Sequence, residues 1–558
     1  MRTRHRMILL WIFLLLAACG PIEPSERDEL PQTPGQPTAP TSLPGQPTPP
    51  PVTLPTGQVD KWSLWTNGTQ LRGADIWQRR VYPELDGTEF LGPGPLGPPY
   101  TQRDFDRLAA LGANYVNISH PGLFTEAPPY VPDPDTQENL DLLLNMIAQA
   151  DMFAVISFRT GPGRSEFTFV QEDLGDWFDR SYINEAVWTD PLAQEAWAEM
   201  WRHTAERYRD NPIVVGYDLM VEPNANDLWG EIEIWEPDEF HADYAGTSYD
   251  WNEFYPRMTS AIRTVDVETP ILVGATGYSG VEWLPYLQPT GDSRTVYMVH
   301  QYAPHHYTHQ WWADIAYGYP DEFDTDWDGE DDEFDRDWLA DLLAAVDDFS
   351  TAYQVPVAVN EFGVIRWVPG AAAYMDDLMD LFEQRGMNHA LWVWDPTWAS
   401  WTEDVNAFNF RFGPDPDNVQ DRANELQDVI VKYWARNTVR PSTLVPSAPV
   451  DPSLGEPPTV AGCPIFPADN VWNVPIDTLP VDAKGDHNAD PSAEAAVSKH
   501  EKVYLAEYSD FADAYQRISH FRRGLSDQTD PFSTGLSDAP GLPLSGPDPT
   551  RAGAGDPG

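Results

Sequence analysis

The segment VVGYDLMVEPNA, residues 214–225, is a short apolar run that stops at a carboxylate, Glu222, and VPVAVNEFGV, residues 355–364, repeats the pattern with Glu361. Apolar runs of this length are typical of strands buried on both faces of a parallel sheet, and the residues just beyond their carboxyl ends are where such sheets carry chemistry. The two glutamates are therefore the first candidates for a catalytic pair.

The same texture recurs on either side, at LRGADIW (71–77), NYVNISH (114–120), FAVISFR (153–159), TPILVGAT (269–276), TVYMVHQY (295–302) and HALWVW (389–394). With 213–221 and PVAVNEF (356–362) these make eight strands. Segments of helical period lie between them, including TQRDFDRLAALG (101–112), DPLAQEAWAEMWRHTAERY (190–208), WLADLLAAVDDFSTAY (338–353) and AAYMDDLMDLFEQRG (372–386). ENLDLLLNMIAQA (138–150) sets Leu140, Leu143, Leu144 and Ile147 on one helix face, and VQDRANELQDVIVKYWAR (419–436) closes the series. Eight alternations without a doubly wound glycine signature predict an α/β fold, a (β/α)8 TIM barrel over residues 59–438.

The flanks have a different composition. Arg2, Arg4 and Arg6 precede an apolar run from Met7 to Ala18, too short to span a bilayer, and then Leu16-Ala17-Ala18-Cys19. Residues 1–18 are expected to be a signal peptide, and the tetrad resembles the lipobox of bacterial lipoproteins, which implies a lipid on Cys19. Residues 19–58, rich in Pro, Thr, Gln and Gly, form an extended Pro-rich tether. The expected localisation is extracytoplasmic, as a cell-surface lipoprotein whose only contact with the bacterial membrane is that anchor. With Cys19 lipidated, Cys463 is the one thiol left and no internal disulfide forms. Residues 439–460 read as a second linker, and 461–558 as a small C-terminal segment of partly disordered character, low in apolar residues from Gly524 onward.

Against 34 basic residues stand 88 acidic ones, for a net charge of −54. That surface excludes nucleic acid and anionic headgroup layers as partners and favours a neutral ligand. No obligate protein partner is implied.

Hydrolysis of a glycosidic bond needs a proton donor for the leaving oxygen and a carboxylate at the anomeric centre, and two carboxyl groups about 5 to 5.5 Å apart give retention of configuration. Glu222 and Glu361 stand three strand-helix units apart, which places them across the barrel mouth from one another. On these residues the chain resembles glycoside hydrolase family 5, the cellulase-like branch of the clan A retaining β-glycosidases. The resemblance implies that Glu222, in Glu222-Pro223, is the acid/base, and that Glu361, in Glu361-Phe362-Gly363, is the nucleophile. It implies too that His300 and Tyr302, in His300-Gln301-Tyr302, contact nucleophile and sugar, and that Trp392 or Trp394 floors the sugar subsite. The sequence departs from the family where Val221 replaces the usual Asn before the acid/base, so that Asn224 or Asn226 is expected to bind the sugar instead. It departs again at strands two and three, where Asn117 and Phe158-Arg159 stand and Arg159 is the candidate cation. Like charges across a small gap raise one pKa, so Glu222 is expected to be protonated and Glu361 ionised. No metal or cofactor is needed.

Other features admit two readings each. Trp229, Trp235, Trp311, Trp312, Trp367, Trp398 and Trp401 either line a sugar cleft or pack within loops. Asp324, Asp326, Asp328, Gly329, Asp332 and Asp335 are spaced like a calcium loop, against a plain solvated acidic loop. His305, His306 and His309 are metal ligands or a polar loop. Ser279 lacks the surroundings of a nucleophile elbow. The expected function is a retaining β-glycoside hydrolase for a neutral β-glucan or β-mannan. A catalytically lapsed glycan-binding barrel is the alternative, with a hydrolase of glycolipids as a third option.

Overall fold

A computed structural model describes residues 60–87, 89–398 and 406–444, together with a two-stranded antiparallel pair, Thr459–Val460 and Cys463–Pro464. The chain divides into two compact units, Met1–Ala448 and Pro449–Gly558. The expected signal peptide, the tether, Cys19 and most of the C-terminal segment lie outside the described residues. Among those described, no helix is long and apolar enough to cross a membrane.

Eight parallel strands close into a barrel in chain order: β1 Arg72–Trp77, β2 Tyr115–Pro121, β3 Phe153–Thr160, β4 Val214–Asp218, β5 Ile271–Gly274, β6 Thr295–Gln301, β7 Val357–Phe362 and β8 His389–Leu391. Closure is made by β1 pairing with both β2 and β8, as in Gly73 opposite Tyr115 and Ala390. The connecting helices are α1 Gln102–Ala110, α2 Pro134–Gln149, α3 Pro191–Tyr208, α4 Trp251–Arg263, α5 Arg336–Leu342, α6 Ala344–Tyr353, α7 Ala371–Gln384 and α8 Glu425–Trp434. Between β5 and β6 only a 3-10 turn, Val281–Tyr286, forms.

Part of the acidic excess has a local purpose. Asp133, Asp190, Asp250 and Asp335 each accept a backbone N–H at the start of α2, α3, α4 and α5, which satisfies donors a helix leaves unpaired. In α2 and α3 a proline follows directly, at a position where its missing N–H costs nothing.

The barrel interior is layered. Its lower part is apolar, built from Tyr115, Phe153, Val155, Val215, Leu272, Val296, Met298, Ala358 and Ala390, and Leu64 and Trp65 of the entering segment plug it from below. Trp65 donates its indole N–H to Val215 O at 2.9 Å. The unit extends past the expected boundary at 438, because Val439 and Leu444 pack on this plug and Ser442 N–H binds Asp151. Higher up the lining turns polar, with Asp75, Asn117, Ser157, Asp218 and Asn360 all buried. The site is therefore confined to the upper, carboxyl-end mouth, since the lower end is closed by side chains.

Candidate active site

β4 ends at Asp218, and the chain runs on through Leu219 to Val221 to present Glu222 in the left-handed backbone region, φ 53°. Glu361 is the penultimate residue of β7 and is 4% exposed. A bulge between Val299 and His300 sets His300 of β6 opposite Glu361, and such bulges re-aim side chains beside barrel mouths. His300 Nδ1 lies 3.0 Å from Glu222 Oε1 and 3.8 Å from Glu361 Oε2. Tyr302 donates its hydroxyl to Glu361 Oε1 at 2.9 Å. One oxygen of each glutamate and a ring nitrogen of His300 fall within 4.8 Å of one another. The structure thus gathers Glu222, Glu361, His300 and Tyr302 in one place.

Arg159, from the upper end of β3, is part of the same field. Its guanidinium grips Glu166 at 2.9 Å and lies 3.6 Å from the Phe169 ring centroid, and its charge acts on both glutamates.

The electrostatics favour a proton placement other than the expected one. Burial works to raise the Glu222 carboxyl, but the hydrogen bond and charge of His300, with Arg159 and Arg164 behind it, hold it below the ordinary carboxylate range. Glu361 is raised by burial, with the Glu222 charge adding and His300 opposing, to about 7. Burial would lower His300, yet the two glutamates outweigh it and raise the imidazole to about 9. These directions favour the carboxyl proton on Glu361 and an ion pair between Glu222 and imidazolium. The expectation was a protonated Glu222, and sequence spacing does not reveal which carboxylate the histidine faces.

Two candidate residues are not in the cleft. Trp394 is 0% exposed: its indole N–H reaches Asp104 O at 3.1 Å and the Arg411 guanidinium covers its ring at 4.2 Å. It is core, whereas Trp392, just past the end of β8, is half-buried. Asn224 is fully buried and accepts from Arg164 at 3.0 Å. Asn226 is likewise buried, spanning Ile234 O and Gly277 N–H. Both side chains are engaged within the protein.

Trp229, Trp235, Trp311 and Trp312 are well exposed, and Trp235 stacks on Tyr278 at 13° between planes. Trp367 and Trp398 are half-buried, and Trp401 lies outside the described residues. The acidic loop gathers only Asp324, Asp326 and Asp328; Asp332 accepts from Thr325, and Asp335 is spent on capping α5. His305 and His309 stack at 3.8 Å beside Tyr302, while His306 packs on Trp327.

Sequence reasoning missed the buried polar layer under the pair. Asn117 donates to Asp75 Oδ1 at 2.6 Å and to Asn360 O at 3.2 Å, and it accepts from Ser157 at 2.6 Å. Asn360 donates to Asp218 at 2.8 Å. The available signal was an acid inside an apolar strand, in LRGADIW and VVGYDLM.

The sequence profile described as Cellulase (glycosyl hydrolase family 5) matches residues 79–397. The chain belongs to glycosyl hydrolase family 5. Among curated family relatives, endoglucanase 3 of Fibrobacter succinogenes is 30% identical over 142 residues, 25% of this chain and 19% of that protein. Endoglucanase C of Acetivibrio thermocellus is 22% identical over 223 residues, 39% of this chain and 55% of that protein. The chain thus spans about half or less of the length of these relatives. Among solved structures, endoglucanase Cel5A of Thermotoga maritima is similar with a TM-score of 0.46 and 17% identity, covering 67% of this chain and 100% of that one.

Proposed function

We propose that this family 5 chain is a retaining β-glycoside hydrolase that cleaves a neutral β-linked polysaccharide or oligosaccharide by double displacement, at the surface of a bacterium to which a lipid on Cys19 holds it. The names of its relatives favour a β-glucan over a β-mannan. The observation that carries the reading is the approach of the Glu222 and Glu361 carboxyl oxygens to within 4.8 Å, with Tyr302 bonded to one and His300 bridging both. That close approach suits direct attack by one carboxylate better than the wider separation with which an inverting pair holds a water.

Glu361 attacks the anomeric carbon as Glu222 protonates the departing oxygen; Glu222 then removes a proton from the water that releases the sugar. The first step needs the carboxyl proton on Glu222. His300 supplies the route: its Nδ1, 3.0 Å from Glu222 Oε1, gives that carboxylate a proton, and the proton of Glu361, 3.8 Å away, replaces it once the two close to hydrogen-bond distance. Imidazolium is regenerated, the nucleophile is ionised, and no proton is gained or lost.

The test is hydrolysis of an aryl β-glycoside with the stereochemistry of the first product followed by NMR. Retention is expected, and Glu361→Gln should lower kcat by at least about a thousandfold with the fold intact. Inversion, or turnover by the variant, refutes the assignment. Sugar binding without hydrolysis across a polysaccharide panel would instead mark a lapsed, glycan-binding barrel.

A further inference from the structure

We propose that Arg164 is a positioning residue for Glu222, holding the backbone turn that aims the acid/base at the leaving oxygen. The inference rests on the proposed role of Glu222. Arg164 lies in the loop after β3 and is 0% exposed. One terminal nitrogen donates to Arg159 O at 3.0 Å and Val221 O at 2.7 Å; the other donates to Glu222 O at 2.6 Å and Asn224 Oδ1 at 3.0 Å. All these acceptors are neutral. A buried guanidinium without a carboxylate in contact is expensive to keep, so its retention calls for a specific task.

The acceptors indicate the task. Glu222 is a non-glycine residue with φ 53°, a conformation that persists only where its surroundings over-determine it. Arg164 binds the carbonyl on each side of the Glu222 Cα and the side chain two residues on, and ties all three to the carbonyl of Arg159 at the top of β3. Arg164 is itself fixed: its backbone exchanges hydrogen bonds with Gly161 at 2.9 and 3.0 Å, and the Phe169 ring lies 4.5 Å from its guanidinium. The planar fork is what permits several carbonyls to be held at once, and an ammonium cannot reproduce it. The positive charge also acts on the Glu222 carboxylate, favouring its ionised form.

The test compares the parent chain with Arg164→Lys and Arg164→Gln on two aryl β-cellobiosides, one releasing 2,4-dinitrophenol and one releasing phenol. The first needs almost no proton donation and the second depends on it. Both variants are expected to lose about thirtyfold or more in kcat/KM on the phenyl substrate and less than about threefold on the dinitrophenyl one. Arg164→Gln should also move the basic limb of the pH profile to higher pH, because the charge that favours ionised Glu222 is gone; Arg164→Lys should not. Equal losses on both substrates, no losses, or a chain that folds with neither replacement would show Arg164 to be a fold residue and overturn the proposal. A parent chain that hydrolyses neither substrate overturns the proposed function itself, and this inference with it.

Discussion

At the residue scale, the pair and its histidine make a pH dependence. Below about 7 the site carries one carboxyl proton, favoured on Glu361, while Glu222 is held below the ordinary range by His300. Raising the pH through about 7 removes that proton from Glu361 but leaves the imidazolium, held to about 9, to protonate Glu222, so kcat/KM should hold through about 7 and fall on the alkaline side near 9. A fall centred near 7 would rule out donation through His300. Asp218 offers a second test, on stability. It is fully buried, one oxygen has no partner, and burial raises it from 3.8 to about 6. A carboxyl that binds its proton more tightly when folded lends the fold no penalty below pH 3.8. Between there and about 6 the penalty grows to on the order of 3 kcal/mol. The thermal midpoint of Asp218→Asn minus that of the parent should therefore climb between pH 4 and 7, and a difference independent of pH would mean that Asp218 is not titrating there. Glu222, Glu361, His300 and Tyr302 were legible in sequence because each stands at a strand end, where direction follows from the barrel. Asn224 and Trp394 were not, because adjacency to a site does not say whether a side chain turns outward or is covered by Arg164 or Arg411.

Elements set where those residues stand, and the closing seam between β1 and β2 is the most sensitive point. A Cβ added at Gly73 would lie 1.8 Å from the Tyr115 carbonyl oxygen, backbone that cannot move without parting the strands. Gly73→Ala should cost at least about 2 kcal/mol, read as a fall in the urea midpoint at unchanged slope. A neutral outcome would mean that the seam is looser than its register implies. The eight strands were legible because their apolar runs are bounded by polar turns. Their lengths were less so: β4 stops at Asp218 and β8 at Leu391, each short of the apolar run that announced it, because the chain leaves the ladder to enter the site. Helix starts were displaced where a cap decides them. α2 begins at Pro134 because Asp133 caps it, four residues before the apolar period becomes visible, and the run at 338–353 divides at Leu343 into α5 and α6.

At the scale of the whole molecule, a net charge of −54 makes the chain a poor host for a polyanion whatever the geometry of its cleft. Some of that acid is absorbed locally, as helix caps and as partners of Arg72, Arg263 and Arg336. The rest sets a long-range field, which salt screens over about 30 Å at 0.01 M and about 10 Å at 0.1 M. A neutral β-glucan does not feel the field, whereas a carboxymethylated glucan approaches against it. Raising salt from 0.01 to 0.3 M should therefore speed hydrolysis of the carboxymethylated polymer by about threefold or more. The neutral polymer should be cleaved at an unchanged rate, with reducing ends as the readout for both. Parallel salt responses would place the effect on the fold or on the glutamate pair, both common to the two substrates. A response confined to the charged polymer locates it at encounter, ahead of any subsite.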